Sequence, residues 1–363
     1  GYNYPSLSGF DASKLPGGSV FDGVFVNGLT PTGIHNRNIT WYTVKTVNIG
    51  FDAEAWNGLL GVTFDLFQRL EEDQMATRTA SIPGLLGASL PQENLNRDYR
   101  RGFDLEVTHR NPSGELSYNA KAILSFVRRK YKYRERATEG NSYNNWRNEQ
   151  NDRWANIWWG YGTDGRYNNW SDIYNSKTQI GVGTLPGDYA YEDWNGDGII
   201  DGLDEHPIYY SGNEPMLTYG LNVGLEYKGL DFNMLWQGGA MIYVSYSGQL
   251  HEPLWGGGSA LKQFMDRWRP ADTNADPYDP NTQWISGNYA YTGTQPRTNS
   301  FCNMENGAYI RRKSIELGYT LPANWIRHIG LKNVRVYANA DNLFTITKVK
   351  NMDPEIASGD GYI

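Results

Sequence analysis

Between Leu217 and Tyr227 every odd position is apolar: Leu217, Tyr219, Leu221, Val223, Leu225 and Tyr227. The even positions, Thr218, Gly220, Asn222, Gly224 and Glu226, are polar or small. Successive side chains of a strand point to opposite faces, so a period of two predicts a strand with one apolar and one polar face. A three-residue turn, Lys228-Gly229-Leu230, follows. The alternation then restarts with Phe232, Met234 and Trp236 against Asp231, Asn233 and Gln237. This is the pattern of an antiparallel hairpin whose strands have about the 9–11 residues that cross a bilayer at a tilt. A half-buried hairpin of a soluble sandwich would carry the same pattern.

The same period recurs along the chain and predicts strands over about 43–53, 58–69, 100–110, 115–128, 216–227, 230–239, 307–319 and 333–344. Val47, Ile49, Phe51 and Ala53 mark the first, and Phe103, Leu105 and Val107 the third. Val334, Val336, Ala338 and Ala340 mark the last. Residues 1–42 read as loop with one poor strand at Val20–Val26, and Leu261–Trp268 reads as a short helix stopped by Pro270. The connections run short, long, short, long, short, long, medium, the long ones at about 70–99, 129–215 and 240–306. Tight turns alternating with long loops are what a membrane barrel produces, whereas sandwiches mix connection lengths without that order. Connections this long also exceed the usual range and point to functional loops. The expected fold class is all-β: an antiparallel transmembrane β-barrel segment with short periplasmic turns and long extracellular loops.

Composition agrees with this and narrows the function. Only 39% of the 363 residues are hydrophobic, and no apolar run approaches the roughly 18 residues of a spanning helix. A barrel survives that test, because its polar lumen and loops dilute the average. Aromatics reach 14%, with 26 Tyr and 13 Trp, which suits an interface girdle or a carbohydrate-binding surface. The net charge of −7, with no basic clusters beyond the short runs Arg128-Arg129-Lys130 and Arg311-Arg312-Lys313, argues against a nucleic-acid partner. Cys302 stands alone, so no disulfide framework can form within the chain. Gly1-Tyr2-Asn3-Tyr4-Pro5 has neither the charged start nor the apolar core of a signal peptide, and the sequence reads as a piece of a longer protein.

The sharpest chemical motif is Asp193-Trp194-Asn195-Gly196-Asp197-Gly198-Ile199-Ile200-Asp201-Gly202-Leu203-Asp204. Side-chain oxygens from Asp193, Asn195, Asp197, Asp201 and Asp204 fall at loop positions 1, 3, 5, 9 and 12. The Ile199 carbonyl is available at position 7 and Gly198 sits at the turn. This matches an EF-hand-like calcium loop, closed by a shorter Asp where Glu is usual, as in dockerin-type loops. Structural calcium is therefore the expected cofactor; a solvated Asp/Gly turn cluster is the plainer reading. Six aromatic residues crowd the segment before it: Trp154, Trp158, Trp159, Tyr161, Tyr167 and Trp170. They suit stacking on a substrate, a protein interface, or an aromatic core that orders a long loop. Catalysis finds little support. His35, His109, His206, His251 and His328 lie far apart, and Gly181-Val182-Gly183 leads to no phosphate-loop Lys. With forty acidic residues, a carboxylate pair could be proposed anywhere, so none is evidence of a glycosidase.

Several segments resemble a known family. Thr46-Val47-Asn48-Ile49-Gly50-Phe51 is similar to its "K-T-x-N-I-G-x-D" strand, and Arg101-Gly102-Phe103-Asp104-Leu105-Glu106 to its "N-R-G-W-E-L" strand. Gly160-Tyr161-Gly162-Thr163-Asp164-Gly165, then Pro186-Gly187-Asp188-Tyr189 and the calcium-like loop, resemble its long-loop signature. Ile315–Pro322, Val334–Tyr337, Asp341-Asn342-Leu343-Phe344 and Asp353-Pro354-Glu355 complete the set, spanning roughly residues 40 to 355. The family is the SusC/RagA group of TonB-dependent outer-membrane transporters. The resemblance implies a 22-stranded barrel in the outer membrane of a Gram-negative, Bacteroidota-like bacterium. It implies import of oligosaccharide or peptide, driven by TonB and shared with a SusD-like surface lipoprotein. The plug domain and the final strand are absent from the chain, and Arg312 stands where the family usually has Leu. The alternative from another class is a secreted all-β glycan-binding or glycan-hydrolysing protein with a dockerin-like calcium loop.

Overall fold

The period-two segments become eight long antiparallel strands in the computed structural model, which describes residues 10–11, 19–26, 30–31, 34–78, 90–112, 114–179, 184–210, 214–292, 300–355 and 358–359. They are β1 (Thr43–Ala55), β2 (Leu60–Thr77), β3 (Gln92–Asn111), β4 (Leu116–Tyr133), β5 (Leu217–Tyr227), β6 (Leu230–Ala240), β7 (Tyr309–Thr320) and β8 (Arg335–Thr347). In one sheet they lie in sequence order, β1 beside β2 through to β8, with the short strand Arg153–Trp154 added to β4. No helix among the described residues is long and apolar enough to cross a membrane.

Three strands run further than hydrophobic alternation predicts. β2 extends to Thr77, β3 starts at Gln92 and β4 ends at Tyr133, so the expected connection at about 70–99 contracts to residues 78–91. The added stretches are polar on both faces, with Glu71, Glu72 and Asp73 on β2 and Arg97, Asp98 and Arg100 on β3. A hydrophobic period is silent there, and polar pairs hold the strands instead: Lys45 with Glu72, and Arg101 Nε donating to Gln68 at 2.6 Å. The hairpin turn is also tighter than expected. Leu230 pairs with Tyr227, leaving Lys228 (φ 48°) and Gly229 (φ 85°) as a two-residue left-handed turn. Val20–Val26 is a small hairpin, Ser19–Phe21 with Val24–Val26, and the helix expected at Leu261–Trp268 is one 3-10 turn over Lys262–Met265. There the preceding Leu261 offers no side-chain cap, and the Trp268 amide bonds to Tyr289 instead of continuing a helix. The readings at 1–5 and 181–183 lie outside the described residues.

By its contacts the chain divides into two compact units. The first holds Gly1–Ile49, Leu66–Gly102 and Arg128–Ala155. On its polar strand face the fully buried Asp98 accepts from Arg129 Nε at 3.0 Å and from Arg134 Nη2 at 2.5 Å. The Tyr131 ring lies beneath both guanidinium groups, at 5.4 and 4.4 Å. A carboxylate this deep is tolerated because two cations and their hydrogen bonds compensate it.

The second unit holds Gly50–Asp65, Phe103–Val127 and Asn156–Ile363. The β4–β5–β6 ladders are in continuous register, from Leu217 between Phe126 and Ala240 to Tyr227 between Leu116 and Leu230. On one face Phe51, Phe64, Phe103 and Phe126 form a row with ring centroids 5.8–6.2 Å apart. That face stays open: Phe51 is 56% exposed and Val336 62%. The other face is polar, with Thr63 donating to Asp52 at 2.6 Å, Lys121 paired with Glu106 at 2.7 Å, and Arg335 held by Asp231 and Glu316. Register shifts on both sides of Lys313 place Arg312 opposite Trp236 and Phe344. Its guanidinium lies 4.8 Å from the Phe344 ring centre, which accounts for an arginine on the apolar face.

Candidate functional site

The described residues of the connections at 134–216 and 241–308 include several short paired strands and helical turns. Within the second unit Ile157–Gly160 pairs with His206–Tyr210, Thr163–Arg166 with Tyr189–Tyr191, and Thr178–Gln179 with Ile199–Ile200. These short ladders close over a small core of Tyr161, Tyr191 and Ile200, with Tyr189 packed against it. In the second long connection Tyr243–Tyr246 pairs with Met304–Asn306, and its Val244 forms a core with Val349 and Met352. That core is anchored from below by Arg311, whose guanidinium donates to Thr345 at 2.8 Å and pairs with Asp353 and Glu355.

The two long connections are joined at Gly187. Its φ of +94° favours glycine, and a Cβ there would lie 2.3 Å from Cγ of Trp268, so the Trp268 indole sits directly on the Gly187 backbone. Arg166 reinforces the joint. It donates to the carbonyls of Gly187 and Asn288, the latter at 2.6 Å, and stacks 3.9 Å from the centre of the Tyr189 ring. Next to it, Asp188 is 7% exposed and accepts from the Leu185 amide at 2.8 Å. Burial pushes its carboxyl up to about 6, against the opposing pull of that amide and of Arg166. Cys302 lies in the same unit, 2.7 Å from the Ser300 hydroxyl, with burial pushing its thiol up to about 11. Neither Trp268 nor Arg166 carries a local sequence signal, because each acts on a segment far away in the chain.

The loop from Asp193 to Asp204 is organised by its own amides. Asp193 Oδ1 accepts from Gly196 at 2.8 Å and Asp197 at 3.1 Å, and Oδ2 accepts from Gly198 at 3.0 Å. The Lys177 ammonium lies 3.2 Å from that same Oδ2. Asn195 and Asp197 accept from the amides of Asp197 and Ile199, each two residues on. Asp201 and the fully buried Asp204 form a capping box around Gly202–Asp204, and Asp204 Oδ1 also takes the Asn195 amide at 3.3 Å. Ile199 is 41% exposed, while Ile200 anchors the loop in the tyrosine core. Among the described residues no group of three or more His, Cys, Asp or Glu side chains is gathered to hold a metal ion.

The six crowded aromatics separate into distinct roles. Trp154 belongs to the first unit, where Arg128 lies 4.3 Å from its ring centre. Tyr161 and Tyr167 are buried at 5% and 4% exposure, and Gln179 donates to the Tyr167 hydroxyl at 2.9 Å, so both serve the loop's interior. Trp158 faces Tyr209, which stacks on Tyr243 at 4.1 Å, and Trp159 is half-buried. Trp170 starts a short helix capped by Asn169 and reaches Tyr174, 5.8 Å away on that helix, and Tyr278, 6.5 Å away on the other long connection. Tyr174 and Tyr278 are 69% and 66% exposed, which makes this trio an open aromatic platform shared by both connections. Tyr174 was legible as the i+4 partner of Trp170, whereas nothing local points to Tyr278.

No protein-family model matches the chain. It is 26% identical over 357 residues to TonB-dependent receptor P3 of Formosa agariphila, covering 91% of this chain and 32% of that protein. It is 27% identical over 187 residues to TonB-dependent receptor SusC of Bacteroides thetaiotaomicron, covering 48% of this chain and 16% of SusC. The chain thus spans about a third of the length of the first of these relatives. Its fold is that of a solved structure of the RagAB peptide importer in the open-open state, with a TM-score of 0.69 at 19% identity, covering 99% of this chain and 36% of that one. These relatives are receptors and transporters, not enzymes, and nothing among them supports a secreted glycan-binding protein. In its strand order, its two-faced ladders and these likenesses, the chain is similar to the SusC/RagA-like TonB-dependent transporters of the outer membrane.

Proposed function

We propose that this chain supplies strands and long loops to a barrel that imports a nutrient, oligosaccharide or peptide, across the outer membrane. The observation that carries the reading is the pair of faces on β1–β8. The apolar face remains open, as a lipid-facing surface must, and the polar face carries ion pairs and hydroxyls suited to a wet lumen. In the complete protein, TonB would drive transport from the periplasm and a SusD-like lipoprotein would sit on the long loops. The Trp170, Tyr174 and Tyr278 platform supports a role for those loops in contact, since exposed rings stack on sugar faces and on apolar side chains alike. The test is to express the complete gene product in its native background. It should fractionate with the outer membrane, require detergent and co-purify with a lipoprotein; recovery as a free soluble monomer would overturn the proposal.

Calcium at the Asp193–Asp204 loop is a separate proposal. It is supported by the hard-oxygen spacing of Asp193, Asn195, Asp197, Ile199, Asp201 and Asp204, and its role would be to fasten the longest loop. The Lys177 ammonium already neutralises Asp193 in part and would compete for the same oxygen. Chelation should therefore expose the loop to protease and added calcium should restore it, more strongly in Lys177→Gln. Unchanged cleavage in both proteins would assign the loop to its own amides and Lys177.

A further inference from the structure

The chain as a whole carries a net charge of −7, yet a network on the polar face of the first unit holds more cations than carboxylates. Successive side chains of a strand alternate in face, so Arg69 and Glu71 of β2 share one face, as do Asp98 and Arg100 of β3. Arg129 of β4 joins them through Asp98, and Arg134, just past the end of β4, turns back to the same carboxylate. Each carboxylate serves two guanidinium groups. Glu71 Oε1 lies 3.2 Å from Arg69 and 3.8 Å from Arg100. Asp98 Oδ2 takes Arg129 and Arg134, while its other oxygen, Oδ1, is buried with no hydrogen-bond partner. Gln74 links the two groups: its Nε2 donates to Glu71 at 3.1 Å and its Oε1 accepts from Arg134 at 3.1 Å. One network thus crosses β2, β3 and β4, with four arginines on two carboxylates.

Burial is unequal within it. The side chains of Arg69, Arg100 and Arg129 are exposed, whereas Glu71 and Arg134 are largely buried and Asp98 wholly so. The carboxylates therefore lie beneath the guanidinium groups, and the network turns outward a layer of N–H donors. The network occupies at most two nitrogens of any one guanidinium, which leaves N–H groups on each for a ligand. The charges around it are accounted for. Arg153 on the added strand and Asp73 at the left-handed bend of β2 contribute one of each sign. Glu135, beyond β4, takes the Tyr133 hydroxyl at 2.9 Å and lies in the field of Arg78, which itself pairs with Glu93. Asp65 and Asp104, the next carboxylates in phase along β2 and β3, belong to the second unit.

We propose that this network binds the acid groups, carboxylate or sulfate, of an imported oligosaccharide, with Arg69, Arg100 and Arg129 as the side chains that touch them. The inference rests on the import reading above, since it needs the polar face to line a lumen. A planar guanidinium matches the paired oxygens of a carboxylate or sulfate, and the buried carboxylates with the Tyr131 ring hold the guanidinium planes in place. The exposed part of the network is donors throughout, and its acceptors are buried. An acidic sugar brings acid oxygens and hydroxyls that accept hydrogen bonds, which suits that surface. A peptide brings an N–H donor at nearly every residue, and the network shows it no acceptor.

The test measures ligand retention by the complete gene product in detergent, using native mass spectrometry. The probes are oligogalacturonate and its methyl ester, a sulfated galactan oligosaccharide and its desulfated form, and an oligoglutamate peptide. Wild-type protein should retain the acidic member of at least one sugar pair preferentially, and less strongly as salt is raised. The combined variant Arg69→Gln, Glu71→Gln, Arg100→Gln removes one carboxylate together with both its cations, so no buried charge is left unpaired. It should lower that retention by about tenfold, the loss expected for one hydrogen bond to a charged group. The variant Glu106→Gln, Lys121→Gln removes a one-to-one pair from the same polar face and should bind as wild type does. Heat-modifiable migration on a gel monitors folding. Should the triple variant fail to assemble, Arg69→Lys with Arg100→Lys takes its place: the acidic sugar should still be preferred but held more weakly, because an ammonium lacks the planar fork. Assembled protein that retains acidic and neutral sugars equally in both pairs, or an assembled variant that binds as wild type does, would overturn this inference and leave the import reading standing. Retention of the peptide in preference to both acidic sugars would overturn it too, by giving the site to acidic peptides. A complete protein that never reaches the outer membrane would overturn both readings.

Discussion

Two residues of the loop assembly carry testable ionisation behaviour. Asp188 is held protonated up to about 6 by burial, so the folded loop binds its proton more tightly than an unfolded chain, where Asp titrates near ~3.9. The stabilisation this proton gives is complete below the unfolded value and is lost as pH rises through about 6, and a shift of this size corresponds to roughly 3 kcal/mol. Proteolysis across residues 184–192 should be slower at pH 5 than at pH 8, and Asp188→Asn should remove the difference. A wild-type loop cleaved equally at both pH values would sink the argument. Cys302 gives the second prediction. With its thiol pushed up to about 11, little thiolate exists near neutrality, so alkylation at pH 8 should be slow in the folded protein and fast after denaturation. The sequence displayed a lone cysteine and a Pro-Gly-Asp-Tyr segment, but burial is what perturbs both groups, and burial depends on partners such as Trp268 and Ser300 that are remote or unmarked in the sequence.

At the level of elements, strand faces were legible and loop architecture was not. Val223 and Asn222 declare their faces by alternation alone, because one side of the sheet is apolar throughout. β2 and β3 were cut short where Glu71–Asp73 and Arg97–Arg100 carry charge on both faces, since cross-strand ion pairs leave no hydrophobic period to follow. The calcium-like spacing was legible as a motif, yet a second signature lay within it: Asp201-x-x-Asp204 also caps the 3-10 turn that follows. The joint between the long connections was invisible, because it rests on the absence of a side chain at Gly187 beneath Trp268. That joint yields a prediction. Gly187→Ala puts a Cβ into the indole and strains a φ of +94°, so it should cost upwards of ~1 kcal/mol locally and open new cleavage sites in residues 241–292. Gly202→Ala, where a Cβ meets nothing within 4 Å, should leave the cleavage pattern as it is. Equal behaviour of the two variants would show that the connections are held elsewhere.

For the whole molecule the question is which solvent each sheet face meets, and two adjacent residues of β6 can answer it. Met234 stands opposite Val223 on β5 and Ile315 on β7, in the middle of the apolar face. Asn233 stands opposite Gly224 and Glu316 on the polar face. A lysine at position 234 would place a charge among aliphatic groups facing hydrocarbon, which costs ~2–4 kcal/mol near the bilayer midplane. A lysine at position 233 would meet water and the Glu316 carboxylate, a cross-strand pair worth a fraction of a kcal/mol, roughly 0.2–1. Met234→Lys should therefore sharply reduce the heat-modifiable, outer-membrane form of the complete protein, while Asn233→Lys should assemble at close to the wild-type level. A soluble sandwich would respond differently: with its apolar face buried it would also reject Met234→Lys, but it would do so without detergent dependence and without any influence of depth. Moving the lysine along the same face, from Met234 to Leu230 at the turn, separates the two. In a membrane the penalty should fall to ~0–1 kcal/mol near the interface. A penalty that stays the same from position 234 to position 230 would mean that protein, not lipid, covers this face.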